Sequence, residues 1–166
     1  MAIGNHGDGL DDHAWDHLRV LVAAAGESDR LAFHNEIESW SADVPLTEQH
    51  KIGLYLLAGT EYITQRILRR KPSEADLKEL AARCVPSVSR VLTLHPMVVE
   101  DALRATFDLK AIKRELSPGE LGLILAAIIG CLLTEPEGDL SEIRTYVAEW
   151  WKVNAQAIRQ AGVKDS

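Results

Sequence analysis

The sequence predicts an all-α protein, a compact bundle of six to eight helices around a nearly all-apolar central helix at about residues 119–134. Three observations carry this reading. Apolar residues recur at three- and four-residue intervals in seven stretches, and no stretch alternates apolar with polar residues between hairpin turns. Ser, Thr, Asp, Gly and Pro stand at the ends of the periodic stretches, where helix caps and stops belong. At 166 residues, 46% hydrophobic and 26% charged, the chain can bury a core without covalent or metal staples. One helical domain is expected over residues 10–162, between a disordered Gly-rich tail at 1–9 and a frayed end at 163–166.

The first stretch runs from Asp11 to Ala25, with Asp11 or Asp12 as cap, Leu10, Ala14, Leu18, Leu21 and Ala25 on one face, and Gly26 as the stop. Ser28 is placed to cap a second helix reaching Trp40, whose apolar side holds Leu31, Phe33 and Ile37. After Pro45, Thr47 opens a third helix to Arg70. Its acids come first and its basic cluster, Arg66 to Lys71, comes last, the order the helix dipole favours.

Ser73, followed by Glu74 and Asp76, caps a fourth helix through Leu77, Leu80 and Cys84. Pro86 is expected to end or kink it, with a short helical piece following to Leu94. Pro96 suits the first turn of a fifth helix through Val99, Leu103 and Phe107. Ser117 and Pro118 open the sixth, which is apolar nearly all round and so must be packed on every side, by neighbours or by another subunit. Asp139 is read as the cap of the last helix, which passes Ile143, Val147, Trp150 and Trp151 to about Ala161.

Two segments echo one another. Ile52-Gly53-Leu54-Tyr55-Leu56-Leu57-Ala58 aligns with Leu121-Gly122-Leu123-Ile124-Leu125-Ala126-Ala127. As a pseudo-repeat this gives two three-helix units, residues 11–70 and 73–134, whose third helices pair centrally while the last helix closes the bundle.

A net charge of -7 leaves no global positive field for a phosphate backbone and favours a basic partner. Cys84 and Cys131 are the two cysteines, in no CxxC or Cys/His ligand spacing, which suits a reducing cytoplasm, and Cys131 is expected to be buried. The start of the chain has neither the basic nor the apolar region of a signal peptide, and Leu121 to Leu133 is too short to span a bilayer.

His13 and His17, four residues apart, share one helix face beside Asp12 and Asp16. Two imidazoles at this spacing can hold a transition metal but need further ligands, and His34, His50 and His95 stand alone, so no metal or other cofactor is assigned. The phosphate-cradling Gly-rich loops and the Gly-x-Ser-x-Gly elbow do not occur, and no catalytic residue is assigned.

Lys78-Glu79-Leu80-Ala81, then Val88-Ser89-Arg90-Val91-Leu92 and His95-Pro96, resembles the DNA-reading helices of lactose-repressor-family regulators. The resemblance covers about twenty residues and implies a helix-turn-helix over 77–94, with Ser87, Ser89 and Arg90 approaching the major groove. The chain departs from that family in a connection about three residues shorter, in lacking the turn glycine, and in placing Pro86 near it.

The leading expectation is a non-enzymatic cytoplasmic interaction module (a regulator, adaptor or inhibitor) that forms a homodimer through Leu121, Leu125, Ile128 and Ile129, with Trp150 and Trp151 as further interface residues. Its alternatives are the DNA-binding regulator and a small-molecule-binding bundle or enzyme with polar groups such as Tyr55, Tyr62, His50 or His95 converging on a cavity.

Overall fold

Seven helices and no strand are found among the described residues of the computed structural model, which are 12–107, 118–133 and 135–160. In chain order they are α1 (Asp12–Gly26), α2 (Arg30–Asp43), α3 (Leu46–Leu68), α4 (Glu74–Val91), α5 (Met97–Phe107), α6 (Pro118–Leu132) and α7 (Pro136–Gln160). The tail expected at 1–9 and the frayed end at 163–166 lie outside the described residues.

Helix ends follow local chemistry, and several differ from the sequence reading. Ser28 does not cap α2. It adopts a left-handed φ of 57°, its N–H donates to Ala25 O and the next N–H, of Asp29, donates to Ala24 O, which closes α1 with a Schellman turn. The cap of α2 is Asp29, whose carboxylate accepts from the Ala32 N–H at 3.0 Å. At α4 the expected cap is present in full: Ser73 Oγ accepts from Asp76 N, and Asp76 Oδ2 accepts from Ser73 N. α7 starts three residues before Asp139, with Pro136 in its first turn, and the Asp139 carboxylate reaches back to accept from Glu135 N.

The helix end expected at Pro86 does not occur. α4 continues to Val91, so Leu77 to Val91 lie on one helix, and the turn that a helix-turn-helix requires is not there. Proline at this position leaves the Ala82 carbonyl without its helical donor, but Ala82 and Pro86 are both exposed, so water can satisfy it. The opposite face, carrying Leu77, Leu80, Ala81, Cys84, Val88 and Val91, is buried and keeps this stretch helical through the proline.

α6 runs through the middle. It packs chiefly on α3 and α1, with α4 and α5 completing its surround. Burial on this scale, at about 1.5–3 kcal/mol per large aliphatic side chain, explains why a helix apolar on all sides is stable here. α3 and α6 lie side by side as the internal echo suggests, and Gly122 faces Leu56 where the two echoed segments meet. The first three helices do not close on themselves, however, because α1 leans on α6 far more than on α3. α2 returns along α1, and α7 lies against the outer side of α3.

Candidate functional site

The seam between α3 and α7 carries an open concavity. Its geometry starts from Gly59: a methyl group there would lie 3.0 Å from Ile143 Cγ2, so the glycine lets α7 settle close to α3. One helical turn on, Tyr62 and Arg66 of α3 face Glu142 and Tyr146 of α7. Tyr62, Ser141, Glu142, Thr145 and Tyr146 line an open groove of about 320 Å³.

Hydrogen bonds fix this wall. Tyr62 Oη donates to Glu142 Oε2 at 3.0 Å, and Arg66 bridges Glu142 Oε2 at 2.7 Å and Asp139 Oδ1 at 2.9 Å. Tyr146 Oη donates to Glu61 Oε1 at 3.2 Å, and the Tyr62 and Tyr146 rings lie 4.9 Å apart. The hydrogen bond to Asp139, seconded by Glu142, holds the Arg66 guanidinium above its ordinary value. Partial burial, then the Glu142 carboxylate, raises the Tyr62 phenol. Burial together with Glu61 pushes Tyr146 up to about 12. Both phenols are therefore neutral donors near neutral pH, presenting rigid amphipathic rings to the groove.

Further along α7 the same face continues with Trp150 and Val153, four and seven residues past Tyr146. Trp150 is half-buried and Val153 is 82% exposed, while Trp151 turns inward and is 7% exposed. The remaining expected interface residues, Leu121, Leu125, Ile128 and Ile129, are each at most 5% exposed against the chain's own helices.

A second cluster lies at the open end of the α1–α2 hairpin. His13 and His17 stack edge to face, 4.7 Å between centroids. Asp43, the last residue of α2, joins them, and one donor atom from each of the three lies within 4.8 Å of the others. Glu36 accepts from His17 Nδ1 at 2.5 Å. The sequence shows the histidine pair, but the two carboxylates stand 19 and 26 residues beyond His17 and reach it only because α2 folds back on α1.

Other residues singled out by sequence are placed apart. Ser89 and Arg90 are exposed on α4 and Ser87 is half-buried, with Arg90 Nη1 3.4 Å from Ser28 Oγ. His34 Nε2 donates to the Val91 carbonyl at the end of α4, and His95 Nδ1 accepts from Met97 N at the start of α5. Tyr55 is buried against Trp15, so it does not meet Tyr62 and His95 in one cavity, and the His50 side chain lies outside the described residues. Cys131 is half-buried rather than fully enclosed, and Cys84 is buried. Compared with known proteins, the chain matches no family model, no curated protein and no solved structure.

Proposed function

We propose that this chain is a cytoplasmic protein–protein interaction module, a regulator, adaptor or inhibitor, whose α3–α7 face receives a basic amphipathic segment of a partner. The supporting observation is the row Tyr62, Tyr146, Trp150 and Val153 beside an open groove. Tyrosine and tryptophan supply large contact area at small conformational cost, and both are enriched where binding energy concentrates. Glu61, Glu142 and Glu149 border the row, Glu142 paired with Arg66 and Glu149 with Lys152, and the net charge of -7 over the chain favours a cationic segment.

The test compares affinity capture from the native lysate by the wild type and by Tyr62→Ala and Trp150→Ala, each first checked for unchanged helicity. A partner held by the wild type, released by salt and lost in both variants supports the reading. Equal capture by all three removes it. Sedimentation of the same preparations reads the homodimer directly: a mass of two chains that falls to one in Trp150→Ala would make a second copy the occupant and overturn the basic-partner reading.

A further inference from the structure

We propose that His13, His17 and Asp43 form a binding site for one borderline divalent transition metal, represented by zinc, with Glu36 orienting His17 from behind. The inference is independent of the α3–α7 face.

His17 carries the argument. It is 9% exposed, and its two ring nitrogens have different surroundings. Nδ1 is bonded to Glu36 Oε1, a carboxylate that is itself mostly buried. A carboxylate accepts, so Nδ1 carries a proton, and in the neutral ring the lone pair is then on Nε2. That Nε2 is shielded from water and has no hydrogen-bond partner. It faces Asp43 Oδ2 at 3.7 Å, too far for a hydrogen bond but the separation expected of two donors sharing a metal. A metal ligand needs that arrangement, in which an outer carboxylate sets the tautomer and raises the basicity of the inner nitrogen.

The other two donors are free to complete the set. His13 is one turn before His17 on the same face of α1, and the side chains of His13 and Asp43 are exposed, so small rotations bring their donors from within 4.8 Å to bonding distance. Two imidazoles and one carboxylate select zinc, cobalt or nickel over magnesium or calcium, which prefer oxygen alone. Three protein ligands leave a fourth position for water. The bound ion would tie the first two turns of α1 to the last residue of α2.

The test uses the full chain stripped with chelator and titrated with Zn²⁺ against a competing indicator, then loaded with Co²⁺ for visible spectroscopy. One equivalent per chain, a tetrahedral cobalt spectrum without thiolate charge-transfer bands, and a raised melting temperature are expected. His13→Ala and Asp43→Ala alter exposed side chains and should keep the fold, which circular dichroism checks; each should weaken zinc at least tenfold. Glu36→Gln should weaken it by about 10–100-fold. Absence of binding by the wild type, binding retained by the His13→Ala/Asp43→Ala double variant, or a thiolate signature each overturns the proposal.

Discussion

Gly130 of α6 lies so close to Gly26 of α1 that a methyl group built on it would sit 2.8 Å from the Gly26 amide nitrogen and 2.8 Å from the Val22 carbonyl oxygen. These two backbone atoms and the Ala25 methyl, also 2.8 Å away, cannot rotate aside. Gly130→Ala should therefore force α1 and α6 apart and destabilise the fold by about 1–3 kcal/mol, read as a lowered denaturant midpoint. Gly59→Ala, which meets a side-chain methyl of Ile143 at 3.0 Å, should cost less. Equal midpoints for Gly130→Ala and wild type would contradict the close crossing.

Leu125 tests the centre of the same helix. With 0% exposure it is enclosed by the chain itself, so its replacement acts on folding before any association. Leu125→Ala should lose about 2–5 kcal/mol, and Leu125→Asp, which buries an unpaired charge, should yield an unfolded chain by circular dichroism. A helical, soluble Leu125→Asp protein would instead place this residue at a surface.

What could be read in advance follows from how local each signal is. The periodic burial of Leu77, Leu80 and Cys84, the Ser73 capping box and the all-round apolarity of α6 are written within a few neighbouring residues, and the structure agrees with them. Gly26 looked like an ordinary helix stop. Its conformation is helical, and the left-handed residue is Ser28, because Gly26 is engaged at the crossing with Gly130. That demand arises between helices and leaves no local trace. The same holds for the sites: His13 and His17 are visible as a pair, whereas Glu36 and Asp43 come to them through the α1–α2 turn, and Tyr62 and Glu142 meet across 80 residues.

Pro86 offers a prediction of the opposite sign. Mid-helix it withholds a hydrogen bond from the Ala82 carbonyl and crowds the preceding turn, yet it lies on the exposed side and no packing depends on it. Pro86→Ala should restore the bond and stabilise the protein by about 1–2 kcal/mol, the gain being trimmed by the added freedom of the unfolded chain. The measurement is the melting temperature. A fall would mean that the proline itself is needed in α4.

Tyr146 sets the alkaline limit of the α3–α7 seam. Its phenol, ordinarily near 10, is pushed up to about 12, first by burial and then by the negative charge and hydrogen bond of Glu61. Because the folded value is the higher one, the protonated phenol favours the folded state. That contribution is complete below pH 10 and is lost as pH rises from 10 towards about 12. Over this interval the wild type should lose urea resistance relative to Tyr146→Phe, which has no proton to release. Glu61→Gln should lower the ionisation midpoint seen by ultraviolet titration without returning it to 10, since burial, the larger cause, remains. A parallel decline of wild type and Tyr146→Phe would show that the phenol ionises equally well in the folded and unfolded chain, and that the Glu61 contact does not hold its proton.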